Sequence, residues 1–295
     1  MRSPPWQEVD VAAPGGRIAA MDWGGAGDPM LLLHGGGSNA AEWATTVPYL
    51  VDEFRCISFD SAGHGQSPEP TSLSFESFLD EMDAVVAHFA LDPAQVAVVG
   101  SSFGGAVAAW WAGTRGACRA IVGVDSAPLR IHLEPWPHPS RPDRTPEEWR
   151  ALGWDWSGDA TAFENHVAAI VAEGGQEATA SSAHRQGADG LYRAHPTPEF
   201  LSALGRLGNR ADNPMVPVDN YARLRCPTLL LCATGGPRAD NREFIDSMPE
   251  RFPAVGSSGW RVPTSSTTRT PTSWPFTSNA FSPHTNTLRP RPAVV

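Results

Sequence analysis

Ser102 is the residue whose surroundings best suit it to chemistry. It is the centre of Gly100-Ser101-Ser102-Phe103-Gly104, a G-x-S-x-G pattern between the apolar run 96–99 and the Ala- and Trp-rich stretch 106–111. The runs predict a short buried strand and a buried helix, so the serine falls on the turn between them. So sharp a turn needs glycine two residues to either side, because side chains there would collide. A serine held this way presents its hydroxyl at a helix N-terminus, where the aligned peptide dipoles favour developing negative charge. The corresponding chemistry is nucleophilic addition of the hydroxyl to an electrophilic carbon, with backbone N–H groups receiving the oxyanion. An inert glycine-rich turn carries the same letters, so the flanking elements decide between the two.

Those elements come in a regular order. Residues 9–13 and 17–23 predict two strands joined by Pro14-Gly15-Gly16. Residues 29–33 form an apolar strand that runs directly into His34-Gly35-Gly36-Gly37, and the glycines there allow backbone N–H groups to approach a ligand closely. Residues 54–59 predict the next strand, followed by the polar loop 60–67. Phe75, Phe78, Leu79, Met82, Val85, Val86 and Phe89 recur at helical spacing, which predicts an amphipathic helix over 74–90 with Ser74 as N-cap. Residues 120–124 give another buried strand, ending at Asp125. Strands with continuous apolar runs, alternating with helices, predict a mostly parallel α/β sheet. From 128 to 221 no strand signal occurs, and the Trp-, Pro- and His-rich text predicts a helical cap inserted over the sheet. The pattern resumes with a strand at 226–232 and a helix at 241–248. The expected division is a core of residues 1–127 and 222–253, a cap of 128–221 and an irregular tail of 254–295.

Composition narrows the function classes. The 295 residues carry a formal net charge of -10 and no basic run, which argues against nucleic acid as a partner. No apolar stretch reaches membrane-spanning length and the first ten residues do not resemble a signal peptide, so a cytoplasmic location is expected. Cys56, Cys118, Cys226 and Cys232 lack metal-ligand spacing and are expected as buried thiols. Neither a metal nor another cofactor is expected, and the expected partner is a small-molecule substrate.

With these elements in place, the chain resembles the α/β-hydrolase family over roughly residues 9–253. The resemblance rests on an ordered set: His34-Gly35-Gly36-Gly37, the loop Asp60…Gly63-His64-Gly65…Ser67, the Ser102 turn and the cap-like insertion. It implies that Ser102 is the nucleophile, that the backbone N–H groups of Phe103 and Gly36 form an oxyanion hole in the 36–37 glycine loop, and that His34 and His64 hold structure. Gly37 completes that loop. The family's acid stands either after the strand at 228–232, where Asp240 lies a little late, or at the tip of the preceding strand, where Asp125 lies; Asp125 is preferred. The implied activity is cleavage of a small ester or related acyl compound through an acyl-enzyme. Two alternatives stand beside it: a non-catalytic ligand-binding protein on the same scaffold, and perhydrolysis or carbon–carbon cleavage on the same fold.

The tail departs from the family. No Asp or Glu follows Glu250, and the run of Ser, Thr, Pro and Arg from about residue 256 shows no helix or strand period. The family's last strand, its catalytic histidine and its closing helix are therefore expected to be missing. One reading of this text is a disordered, low-complexity tail; the preferred one, since all 22 basic residues are Arg and imply a GC-rich gene, is translation in a shifted frame. In the neighbouring frame, residues 264–287 can encode a histidine after a strand, then Asn-Pro-Asp-Glu opening an amphipathic helix. The base would then lie at the place of Thr264, which cannot accept a proton from Ser102, and His284 is the one histidine in the tail. Nucleotide sequencing past codon 255 tests this: the neighbouring frame should encode a histidine at that place, and a frame that cannot do so rejects the shift.

Overall fold

The structure, a computed structural model, describes residues 5–116, 118–126, 143–210, 212–215, 218–233 and 242–260. The core strands in chain order are β1 (Gln7–Ala13), β2 (Gly16–Gly24), β3 (Asp28–Leu33), β4 (Phe54–Phe59), β5 (Ala97–Ser101) and β6 (Ala120–Val124). Helix α1 (Phe75–His88) follows β4, and α2 (Phe103–Arg115) follows β5. The insertion contributes α3 (Pro146–Ala151), β7 (Ser157–Gly158), α4 (Ala160–Ala172), α5 (Glu177–Ser182), β8 (His184–Gln186), β9 (Tyr192–Ala194) and α6 (Pro198–Gly208). The core closes with β10 (Thr228–Ala233), α7 (Arg242–Asp246), α8 (Met248–Arg251) and β11 (Val255–Trp260). Among the described residues, no helix is long and apolar enough to cross a membrane.

Eight strands form one sheet in the order β1-β2-β4-β3-β5-β6-β10-β11. The β1–β2 hairpin and the β2–β4 pairing are antiparallel. Every pairing from β4 to β11 is parallel. The continuous apolar runs follow from burial on both faces. Successive strand side chains point to opposite sides, so Leu31 and Leu33 of β3 join Ile57, Val98, Phe78 and Trp111 in one core. Met30 and Leu32 join Trp23, Trp43, Val47 and Cys56 in the core on the other face. Helix α1 begins where expected: the Ser74 hydroxyl accepts from the Ser77 N–H at 3.2 Å.

Two expectations need correcting. The sheet's last strand is present: β11 pairs in parallel with β10 from Thr228↔Val255 to Ala233↔Trp260. Its residues, Val-Gly-Ser-Ser-Gly-Trp, lack apolar alternation because an edge strand needs only its backbone bonds to one neighbour. Residues 255–260, expected as part of an irregular tail, are therefore strand, and the rest of that tail, with the expected closing helix, falls outside the described residues. The cap, expected to be helical, also holds a small antiparallel sheet, β7-β9-β8. Strands of two or three residues are too short for a period-two pattern to show in sequence.

Leu31 is fully buried in the middle of the sheet. Leu31→Ala should lower the unfolding free energy by about 2–5 kcal/mol, read as a lower urea midpoint at unchanged slope.

Candidate active site

Ser102 stands between β5 and α2 with φ 46° and ψ -110°, a backbone region costly for a residue with a side chain. Its neighbours make the bend possible. A Cβ on Gly100 would lie 2.4 Å from the Gly104 carbonyl carbon, one on Gly104 would lie 2.6 Å from the His34 carbonyl oxygen, and one on Gly105 would lie 2.1 Å from Ser126 Oγ. The bend is also tied into the sheet. The Ser102 N–H donates to the Val124 carbonyl at 2.9 Å, and the Ser126 hydroxyl donates to the Ser102 carbonyl at 2.6 Å.

The glycine loop after β3 lies against this bend. A Cβ on Gly35 would stand 3.7 Å from Ser102 Cβ and 3.5 Å from Ser101 Oγ. The Ser38 N–H donates to the Gly35 carbonyl at 3.0 Å, closing a turn in which Gly37 takes φ 78°. Gly35 N–H is engaged by Glu42 Oε2 at 3.2 Å. By contrast, the N–H groups of Gly36 and Phe103 donate to no other group among the described residues. The expected hydroxyl and oxyanion donors thus come from adjoining segments.

Asp125 lies at the tip of β6 with φ 48°, next to the strand residue that holds the Ser102 N–H. Its own N–H donates to the Leu231 carbonyl at 2.7 Å, which fixes it between β6 and β10. Asp240, Thr264 and His284 lie outside the described residues. His34 and His64 are buried framework groups. His34 Nδ1 donates to the Gly35 carbonyl at 2.8 Å and Nε2 accepts from the Ser61 N–H at 3.0 Å, so both ring nitrogens are engaged. Burial lowers the His34 pKa to about 4 and that of His64 to about 3, and the two rings pack 4.9 Å apart.

Three contributors carry no signal in the sequence. Glu42 is a half-buried carboxyl on the cleft wall that desolvation pushes above its usual pKa, an effect the nearby Ser38 and Ser101 hydroxyls oppose. Ser126 is the second. The third is the clasp between cap and core. Asn39 Nδ2 donates to the Thr179 carbonyl at 2.9 Å, and Gln66 Nε2 donates to the Ser182 and His184 carbonyls, each at 2.9 Å. All three depend on how distant loops meet, which spacing along the chain does not reveal. Beneath the clasp, Asp60 accepts from the Ala40 N–H at 2.6 Å and the Gln66 N–H at 2.7 Å, binding the two loops together. A cleft of about 470 Å³ separates the 40–45 turn from α4 and α5, lined in part by Ser38, Glu42, Thr46, Ser101, Val124 and Gln176.

The sequence profile described as the alpha/beta hydrolase fold matches residues 28–264, most of the chain. The chain belongs to that family. A human serine hydrolase-like protein is 36% identical over 104 residues, 34% of this chain and 50% of that protein. The pimeloyl-[acyl-carrier protein] methyl ester esterase of Chromobacterium violaceum is 33% identical over 115 residues, 39% of this chain and 43% of that enzyme. The aligned segments thus span half or less of these curated relatives. The crystal structure of E-2-(acetamidomethylene)succinate hydrolase superposes with a TM-score of 0.63 at 19% identity, covering 87% of this chain and 91% of that one, a likeness of fold.

Glu81 supplies a pH test of the framework. It is buried beneath the 60–67 loop, takes the Ala62 N–H at 3.4 Å, and burial raises its pKa to about 8. The folded state therefore holds this proton more tightly than the unfolded chain, whose pKa is the ordinary 4.5. The associated stability is full below about pH 4.5 and is lost as pH rises through 8. Urea titrations at pH 6.5 and 8.5 should show wild type losing stability across that window by an amount on the order of 1–2 kcal/mol more than Glu81→Gln. Identical pH profiles would refute the assignment.

Proposed function

We propose that the chain is a serine hydrolase of small esters or related acyl compounds, working through an acyl-enzyme on Ser102. The observation carrying this reading is the strained Ser102 bend set against a glycine loop, with the Gly36 and Phe103 N–H groups unengaged by other described residues. In the proposed cycle, Ser102 Oγ adds to the ester carbonyl and its proton passes to a base. The carbonyl oxygen becomes an oxyanion held by the two N–H groups. Collapse of the tetrahedral adduct expels the alcohol, and water then releases the acid by the same route in reverse.

Asp125 is the carboxylate we assign to orient the base, on the strength of its strained position beside the bend. The base itself is the weak member. His34 spends both ring nitrogens on the framework, and on the shifted-frame reading of the tail the base falls at the place of Thr264. Loss of one triad member costs several orders of magnitude in rate, so turnover by this chain should be slow. The cleft reaches the bend through Ser101 rather than Ser102 itself, and mixes hydroxyl and carboxyl groups with Val124 and Ile170, which suits a short acyl compound with a polar substituent held beside the serine. A relative named as a methyl ester esterase favours esters over carbon–carbon bonds. The second reading, a ligand-binding protein on a hydrolase scaffold, draws on Thr264 alone.

Hydrolysis of p-nitrophenyl acetate separates the two. The serine hydrolase reading expects slow release of p-nitrophenol above the buffer rate and an acetyl group left on Ser102, read by peptide mass spectrometry, both lost in Ser102→Ala. Equal rates in both proteins would favour the binding reading.

A further inference from the structure

At the opposite end of the sheet from the Ser102 bend, two cysteines meet. Cys118 precedes β6 and Cys226 precedes β10, and these parallel strands are paired from Ile121↔Thr228 onward. The Ile121 N–H also donates to the Pro227 carbonyl at 3.0 Å, so the two segments are held side by side just before the strands begin. Both thiols are unoxidised. The Cys118 thiol lies 3.2 Å from the Ala120 carbonyl and 3.4 Å from the Val96 carbonyl, partly open to solvent, while Cys226 is buried in the main core. Thiol–thiol contact is the largest influence on the ionisation of each.

We propose that Cys118 and Cys226 are a redox-active dithiol which peroxide converts to a disulfide joining the starts of β6 and β10, the two strands that flank the cap insertion in the chain. The reaction balances with hydrogen peroxide as oxidant. The Cys226 thiolate attacks one peroxide oxygen and the O–O bond breaks. The departing hydroxide takes up a proton, leaving water and a sulfenic acid. The Cys118 sulfur then displaces the sulfenic hydroxyl, which leaves as a second water, and the S–S bond forms. Two thiols are oxidised and one peroxide is reduced to two waters.

The environment divides these roles. Contact with the Cys118 thiol, helped by the Thr228 hydroxyl, holds the Cys226 thiol below its ordinary pKa, which favours Cys226 as the attacking sulfur. Cys118 is pushed upward and keeps its proton until it resolves the sulfenic acid. Cys56 sits on another strand with its pKa raised to about 11 by burial, which makes it a poor nucleophile. The bond would close a loop of roughly a hundred residues that contains the whole cap, the kind of closure that restricts an unfolded chain most.

The test is independent of hydrolysis. The full chain is treated with hydrogen peroxide and mapped by peptide mass spectrometry without reduction. The expected product is a Cys118–Cys226 cross-linked peptide, an intact mass lower by about 2 Da and a Tm higher by at least about 5 °C, all reversed by dithiothreitol. A Cys56→Ser, Cys232→Ser double variant should still form the cross-link. In Cys118→Ser, Cys226 should stop at a sulfenic acid that dimedone traps. Sulfinic acid on either cysteine without a cross-link, pairing with Cys56 or Cys232, or no loss of thiols would overturn the proposal.

Discussion

The constraint on which the site depends is steric. β5 must pass into α2 through one residue, and that residue, Ser102, sits at φ 46°. The turn is possible only where the surrounding chain has no side chains. Gly100 and Gly104 stand where a methyl group would meet backbone at 2.4–2.6 Å, and Gly105 stands where it would meet Ser126 Oγ at 2.1 Å. The strain is held by bonds to β6 and by the hydroxyl of Ser126. Through Gly104, the same closeness presses the start of α2 against the end of β3, and this brings Gly35 to the side of the bend.

Around this point the protein keeps several ionisable groups in its interior. Asp60, Glu81, His34 and His64 are buried and Glu42 is half-buried, and desolvation moves each toward its neutral form. They act as fixed hydrogen-bonding partners for loop backbone. Asp60 holds the 40 and 66 N–H groups, and Gln66 in turn reaches the cap. The loop packing on α6 is tight as well, because a Cβ on Gly63 would lie 2.5 Å from the Phe200 ring. Cap position, the 60–67 loop and the start of the 40–45 turn are thus joined through one polar layer, so a change at Gln66 or Asp60 is felt in all three.

The core was legible in the sequence because its signals are local. Apolar runs such as Leu31-Leu32-Leu33 mark strands buried on both faces, and the glycines around Ser102 mark the bend by necessity of space. The β11 edge strand was not legible, since its pairing with β10 is a backbone matter and Gly256, Ser257 and Ser258 carry no pattern. The short cap strands escaped for lack of length. Glu42 and Ser126 escaped because their partners lie on other segments, visible only once the loops have folded against each other. Asp125 was recognisable as a candidate from its place at a strand tip; its φ of 48° required coordinates.

The central claim is that the bend aims Ser102 Oγ at a point shared with the Gly36 and Phe103 N–H groups. A crystal structure with an arylboronic acid tests it most directly, because boron bonds to a nucleophilic serine and its oxygens imitate the tetrahedral adduct. The account predicts boron on Ser102 Oγ, with one boronate oxygen about 2.7–3.1 Å from both N–H groups. Boron bound elsewhere, or on Ser102 with no oxygen reaching Gly36 and Phe103, would contradict it.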